Sequence, residues 1–392
     1  MKILAIHNRY QIRGGEDESF DLETSLLEKN GHQVIRYIKD NKIIDELPLW
    51  QVGLRTIWSR SDYRSIRGLI QKERVDLAHI QNHFPLVSPS AYYAAKHEGI
   101  PVVQSLRNYR LYCLNSYLFR EQKVCEDCLG KSIPLPGVVH KCYRNSRLGS
   151  TVVTASISTH RLLKTYQTQV DAFIVLTEFA KQKYIHNGIP AEKVFIKPNF
   201  VDPDPKAGRG DGGFVLFVGR LSAEKGISVL LRAWEVLGKR TQLKIVGEGP
   251  LQSDVEAAAV NTAGIQYLGR QSLADVYDLI GQATALIFPS LWYEGMPRVI
   301  IEAFAKGTPV IASYLGAMVT MIEHQKTGLH FQVGNSDALI EQVFWMLDHP
   351  QAWSEMRQAA RSNYELNYTA EQNYQMLMQI YQRVLGSVSR VP

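Results

Sequence analysis

Two cations, two carboxylates and a few well-placed glycines are the residues of this sequence that could do chemistry. The run Phe214 to Val218 passes into Gly219-Arg220-Leu221-Ser222-Ala223-Glu224-Lys225-Gly226. A glycine where a strand ends lets the backbone approach a ligand, and Arg220 and Lys225, both in that turn, can converge on the oxygens of a diphosphate. Arginine brings a bidentate fork and lysine a mobile point charge. The plainer alternative is a solvated turn in which a cation pairs with Glu224.

A second stretch follows the apolar run Ala285 to Phe288: Glu294-Gly295-Met296-Pro297-Arg298-Val299-Ile300-Ile301-Glu302. Pro297 fits the first turn of a helix and Gly295 permits close approach. The spacing therefore predicts a helix start around Met296 to Val299 whose N–H groups offer a phosphate site. Glu294 lies before that start and Glu302 inside the helix, so the two flank the anion site. One can bind sugar hydroxyls and the other a ribose diol. Paired glutamates are also common on solvated helix faces. Glu302, however, is embedded in Val299-Ile300-Ile301-Glu302-Ala303-Phe304-Ala305, where an acid needs a partner.

The elements that must hold these groups are legible from period and punctuation. Short β-branched runs alternate with amphipathic stretches, the pattern of βα units and parallel sheets. Strands are expected at Lys2 to Ile6, Val34 to Ile38, Leu77 to Ile80, Val102 to Ser105, Ala172 to Leu176 and Val194 to Lys197. A second set is expected at Phe214 to Val218, Gln242 to Val246, Ile265 to Leu268, Ala285 to Phe288, Val310 to Ala312 and Gly328 to Phe331. Between the sets, Pro198 to Pro205 is rich in proline and Lys206 to Gly213 in glycine, which reads as a linker with a hinge near residue 205. Helices are expected at Trp353 to Leu366 and Thr369 to Leu385. The reading is thus α/β, with two doubly wound sheets in domains 1–205 and 206–370, facing across a cleft, and a closing helix in 371–392 that crosses back to the first domain.

Composition narrows the class. The 392 residues leave room for two or three domains, and 45% hydrophobic with 21% charged residues excludes a disordered or fibrous chain. No apolar run approaches the roughly 18 residues needed to span a bilayer, and Met1-Lys2 leads straight into Ile3 to Ile6, so a cytoplasmic protein is expected. Residues 1–200 carry 28 Lys/Arg against 19 Asp/Glu, whereas residues 201–392 carry 16 against 19. The basic first half is expected to meet something anionic, such as a membrane surface or a phosphorylated substrate. Nucleic acid is disfavoured, because no stripe of interleaved basic and stacking residues is present.

With these motifs in place, the chain resembles the GT4 retaining glycosyltransferases, which have the GT-B fold of two Rossmann-like domains. The resemblance rests on Val218-Gly219-Arg220-Leu221…Glu224-Lys225-Gly226, on the turn Gly247-Glu248-Gly249-Pro250, and on Glu294 spaced from Glu302. In the first half, Gly14-Gly15-Glu16 after the first strand is similar to that family's glycine-rich loop. The resemblance implies that Arg220 and Lys225 hold the donor diphosphate, that Glu302 binds the ribose and Glu294 the transferred sugar, and that Gly15 lies beside the phosphates. It also implies that no catalytic metal is needed, since cationic side chains and helix N–H groups neutralise the leaving diphosphate. Its mechanism lets the acceptor hydroxyl attack the face from which the diphosphate departs, with the leaving phosphate oxygen taking the proton. One position departs from the pattern: where related chains carry a histidine that reaches the donor sugar, this sequence has Arg107 in Leu106-Arg107-Asn108-Tyr109-Arg110. Arginine cannot act as a base but can donate to a sugar hydroxyl or phosphate. His7, His79 and His83, near other strand ends, are expected to be structural.

All four cysteines, Cys113, Cys125, Cys128 and Cys142, fall in the stretch 107–147, which is expected to be an insertion without strands. A structural zinc bound by the four thiols would organise it, with His140 as a substitute ligand. Four packed reduced thiols or a redox pair are the other readings. A subset of bacterial GT4 chains looks similar here, around Asn108 to Leu111 and His140 to Arg144. The region 50–74 places Arg55, Arg60, Arg64, Arg67, Lys72 and Arg74 among Trp50, Trp58 and Tyr63, which fits either peripheral contact with an anionic membrane or an ordinary helix packed by its aromatics.

The expectation is a metal-independent, retaining glycosyltransferase that moves a hexose-type sugar from a nucleotide diphosphate donor, UDP favoured and GDP open, to a hydroxyl of a polysaccharide or lipid-linked glycan. Its rivals are a catalytically silent nucleotide-sugar-binding protein and a nucleotide-sugar epimerase. A Rossmann dehydrogenase is disfavoured, because Gly247-Glu248-Gly249 lacks the third glycine of a dinucleotide fingerprint.

Overall fold

A computed structural model describes residues 1–388. They form two compact units. The first comprises Met1–Leu118, Cys125–Lys197 and the chain from Tyr374 on; the second comprises Phe119–Val124 and Pro198–Asn373.

The first unit is built on a six-stranded parallel sheet of β1 (Lys2–Arg9), β2 (Gln33–Asp40), β3 (Leu77–Asn82), β4 (Val102–Leu106), β7 (Ala172–Val175) and β8 (Val194–Ile196), in the order β2-β1-β3-β4-β7-β8. Between β4 and β7 the chain adds the two-residue strands β5 (Phe119–Arg120) and β6 (Lys123–Val124), an antiparallel hairpin that the expected strandless insertion does not contain. β3, β4 and β7 are buried throughout, because helices cover both faces of a parallel sheet, and the polar His79, Gln81, Gln104 and Ser105 among them are hydrogen-bonded. β2, at the edge, alternates between half-buried and exposed. Ile3, Leu77, Val103 and Ile174 pack in one cluster with Leu377, Ile380, Tyr381 and Val384 of the last helix, Ala370–Val388.

The second unit holds β9 (Phe214–Val218), β10 (Gln242–Val246), β11 (Ile265–Gly269), β12 (Ala285–Phe288), β13 (Val310–Ser313) and β14 (Gly328–Phe331), in the order β11-β10-β9-β12-β13-β14, all parallel. Val215, Phe217, Leu243, Ile245 and Ile287 meet the helix Ile227–Leu237 through Leu230 and the fully buried Trp234.

Each sheet is wound in both directions from its first strand, so each has a point where neighbouring connections diverge: between β1 and β3 in one unit, between β9 and β12 in the other. Loops leaving the carboxyl ends of such strand pairs part and open a crevice, the usual ligand position in doubly wound sheets.

Candidate functional site

The loops that follow β9 and β12 bring one expected cation and one expected acid of the second unit together, Lys225 and Glu294. After β9 the chain makes a short 3-10 turn, Ala223–Lys225, and Gly226 starts the helix Ile227–Leu237 at φ +74°. A Cβ at Gly226 would lie 1.9 Å from the Pro289 carbonyl oxygen, so only glycine lets this turn press against the end of β12. The contact is stitched by the Leu291 N–H donating to the Glu224 carbonyl at 2.8 Å. Gly226→Ala is therefore expected to destabilise the protein by more than the roughly 1–2 kcal/mol of a left-handed L-residue, seen as a lowered melting temperature. An unchanged melt would show that the turn can move away. On the other side of β9, Gly247, at φ +137°, comes so close to Gly219 that a Cβ would meet the Gly219 oxygen at 1.9 Å.

Lys225 sits where these constraints converge. Its ammonium donates to Glu294 Oε1 at 2.7 Å and lies over the rings of Phe288, at 5.6 Å, and Trp292, at 5.5 Å. The same Glu294 oxygen accepts from Ser290 Oγ and from the Trp292 indole N–H, both at 2.8 Å. Glu294 is 5% exposed, and three donors on one oxygen fix its orientation. Glu224, the alternative partner for a cation of the turn, instead accepts from Ser222 Oγ at 2.6 Å. Arg220 is exposed at the end of β9.

Glu294 leads through Gly295 and Met296 to the helix Arg298–Ala305. Pro297 is the N-cap, one position ahead of the expected first turn, in the extended conformation that proline accepts. Met296 is pinned from the linker: the Asn199 N–H donates to its Sδ at 3.2 Å and the Asn199 amide to its carbonyl at 3.5 Å. In any helix the first backbone N–H groups have no intrahelical acceptor, so Arg298 and Val299 present donors at the positive end of the dipole. Glu302 is 8% exposed and has its partner one turn back, with Arg298 Nε 3.7 Å from Oε1.

In the first unit, Gly14 caps the helix Gly15–Lys29 and its N–H donates to Asp17 Oδ2 at 3.1 Å. Asp17 in turn holds His7 through Nε2 at 2.8 Å, and His7 stacks on Phe20. Beside this loop, Glu16 accepts from Tyr10 Oη at 2.9 Å and from the Asn108 amide at 2.8 Å. Arg107 turns inward: its side chain is 5% exposed, Nε donates to Gln81 Oε1 at 3.1 Å, and Nη2 is 3.8 Å from Glu23. Glu23 is wholly buried and also accepts from Lys197 Nζ at 2.5 Å and from the Gln81 amide. Burial alone would raise the Glu23 carboxyl, but Lys197, His79 and Arg107 outweigh it and hold it at about 2. His79 is brought down to about 4 by burial, and it bonds to Tyr381 and Ser105. His83 is brought down to about 3, again by burial first. His79 and His83 also pack edge-on against Tyr381 and Tyr92.

The structural zinc expected on the four cysteines is not shown. Among the described residues no three His, Cys, Asp or Glu side chains are placed to hold a metal ion. None of the four thiols is in a disulfide; Cys113 Sγ donates to Asn115 Oδ1 at 2.9 Å, and Cys128 is 3.9 Å from the Pro134 oxygen. Burial first, then the neighbouring thiols of Cys113, Cys142 and Cys125, push Cys128 up to about 11. The segment carries an apolar cluster: Leu114 with Val153 and Ile157, flanked by Val138, Cys142 and Tyr143.

Sequence reasoning singled out Lys225, Glu294 and Glu302 but not Ser290 and Trp292, which bond to Glu294, nor Tyr10 and Asp17, which bond within the glycine loop. The one available signal was Trp292 itself, an indole donor beside an acid in a loop.

Two family models match this chain. That of glycosyl transferases group 1 covers residues 202–363, and that of Glycosyltransferase Family 4 covers residues 25–205. The chain belongs to glycosyltransferase family 4. Its fold is GT-B. The Lys225 and Glu294 cluster lies inside the group 1 match. Among curated relatives, the D-rhamnosyltransferase WbpZ of Pseudomonas aeruginosa is 34% identical over 161 residues, 40% of this chain and 42% of that protein. The chain spans about half the length of the curated relatives it matches. Among solved structures, a glycosyltransferase from Rickettsia africae superposes with a TM-score of 0.70 at 18% identity, over 98% of both chains. Anabaena Alr3699/HepE, solved in complex with UDP, superposes with a TM-score of 0.67 at 16% identity, over 100% of both chains. No helix among the described residues is long and apolar enough to cross a membrane.

Proposed function

We propose that this protein transfers a hexose-type sugar from a nucleotide diphosphate donor to a hydroxyl of a polysaccharide or lipid-linked glycan, with retention at the anomeric carbon and without a catalytic metal. The observation that carries the reading is Lys225 held against Glu294 beside the N-terminus of the helix Arg298–Ala305. An ammonium has three N–H donors, of which Glu294 takes one, so Lys225 can also bind a phosphate oxygen. With Arg220 and the Arg298 and Val299 N–H groups it would stabilise the charge that grows on the departing diphosphate. Gly219 and Gly295 admit the phosphates closely, Glu294 accepts from the sugar hydroxyls, and Glu302 accepts from the ribose diol.

On this reading residues 206–370 bind the donor, and residues 1–205, with the loop Gly14 and Gly15, bind the acceptor. Arg107 acts by position, fastening the loop after β4 to the buried Glu23. UDP is the favoured nucleotide, in keeping with the UDP complex of Alr3699/HepE. An anionic or lipid-linked acceptor on the cytoplasmic side fits the basic first half of the chain.

The inward-turned Arg107 favours one rival, donor binding without turnover. A transfer assay with a panel of nucleotide sugars separates the two: product supports the enzyme, and binding without product supports the rival. Donor binding itself is tested by thermal shift. At a donor concentration near 100 Kd the stabilisation should approach about 2.7 kcal/mol. Glu302→Ala is expected to abolish the shift given by the preferred donor, and an unchanged shift would mean that the ribose contact is misassigned.

A further inference from the structure

Arg161 is a half-buried guanidinium with no acid beside it. Near the end of the helix Arg147–Leu162, its Nη1 donates to the Lys131 carbonyl and its Nη2 to the Leu111 carbonyl at 3.3 Å, and its Cζ lies 5.2 Å from the centre of the Tyr112 ring. Burial pushes the guanidinium down from its ordinary value, and the groups that act against burial are Tyr112, Tyr166 and Cys128, none of them a carboxylate. A charge withdrawn from water normally has a counter-ion. An arginine carries five N–H donors, so two carbonyls leave others to spare.

Arg161 lines a cavity of about 770 Å³, within the roughly 300–1,000 Å³ of small-molecule sites. Leu111 and Ile133 of the insertion, Tyr166 and Gln167 ahead of β7, and Ile189 ahead of β8 are among its walls. The last three lie at the amino ends of their strands, away from the carboxyl-end crevice of that sheet. No Asp or Glu lines the cavity, whereas Lys131 and His186, both exposed, do. An anion would meet no opposing charge there.

Two further oxygens on the wall say what else the ligand carries. Ser158 precedes Arg161 by three positions and so shares its helix face. Its buried Oγ and the buried Oε1 of Gln167 have no hydrogen-bond partner. The Gln167 amide nitrogen donates to the Gly188 carbonyl at 3.0 Å, which fixes the oxygen as the orphan. An amide oxygen only accepts, so an anionic oxygen cannot satisfy it and a hydroxyl can. Leu111, Ile133 and Ile189 offer apolar surface to the carbon face of a ring. An acid group, hydroxyls and an apolar ring face together describe an acidic sugar.

We infer that this cavity binds a small acidic sugar, with its phosphate or carboxylate on Arg161 and its hydroxyls on Ser158 and Gln167. The inference is independent of the donor site. Its test is isothermal titration of the full chain, saturated with UDP so that a sugar phosphate cannot enter the donor site. The titrants are glucose 1-phosphate, glucuronic acid, glucose and inorganic phosphate. At least one acidic sugar should bind once per chain, about tenfold or more tighter than glucose or phosphate alone, and the tighter of the two identifies the acid group. Arg161→Gln should weaken that binding about tenfold or more, and Ser158→Ala about threefold or more, at an unchanged thermal shift with UDP. Ser158→Ala removes an oxygen without a partner, so its melting temperature should not fall, and it decides the matter if Arg161→Gln does not fold. The inference is overturned if neither acidic sugar binds in the presence of UDP, if phosphate alone binds as tightly, or if the folded variants bind as the wild type does. Should UDP itself not bind, the donor reading fails, and the same variants titrated without it still test the cavity.

Discussion

Glu23→Ala should lower the unfolding free energy by about 3–5 kcal/mol, the cost of leaving a buried charge without its partner. Glu23 has one carboxylate between the wholly buried Lys197 and the nearly buried Arg107, so its loss strands two cations in a region that water does not reach. Burial already pushes the Lys197 ammonium down, and without Glu23 it would lose the proton or unfold the region. Glu23→Gln, which keeps the shape and an acceptor oxygen, should cost less than alanine. The acid dependence has a definite sign. The Glu23 carboxyl is depressed in the folded chain from 4.5 to about 2. Its contribution is therefore complete above about 4.5 and is lost as pH falls toward about 2. Urea unfolding of wild type and variants across that range measures both effects. A difference under about 1 kcal/mol near neutral pH would mean that the network merely breaks even.

Lys225→Met should reduce transfer by about 10²–10³-fold, comparable with deleting one preorganised donor to a developing anion. Methionine keeps an apolar stem against Phe288 and Trp292, and Glu294 keeps its bonds from Ser290 and Trp292, so the fold should hold while the charge is lost. Lys225→Arg should recover only part of the rate, because a planar fork does not fit the place of a compact ammonium. Steady-state kinetics beside a melting curve separate the outcomes. A rate within about threefold of wild type in a folded Lys225→Met would remove this residue from the charge-stabilising set.

The legible part of this fold was the periodic part. All twelve strands of the two large sheets overlap the expected runs, and Phe214–Val218, Gln242–Val246, Ala285–Phe288 and Gly328–Phe331 agree to the residue. The hairpin Phe119–Val124 escaped because two-residue strands are too short to show a period. Within the site, Glu302 was singled out correctly as an acid in apolar surroundings, and its partner Arg298 was readable one helical turn away. The bond between Lys225 and Glu294 was not readable: it spans 69 positions and depends on Gly226 letting two loops touch. Glu23 and Lys197, 174 positions apart, are a stronger case, since nothing local distinguishes Glu23 from an ordinary acid on an amphipathic helix. The cysteine segment is a further case. Cysteine spacing constrains which thiols can meet, but the packing of Leu114 and Val138 on the helix Arg147–Leu162 decides whether they do.

The most direct measurement is diffraction from crystals of the protein soaked with UDP. The account predicts a pyrophosphate within hydrogen-bond reach of Lys225 Nζ and of the Arg298 and Val299 N–H groups, with the ribose on Glu302. A nucleotide seated away from the loops after β9 and β12 would contradict it.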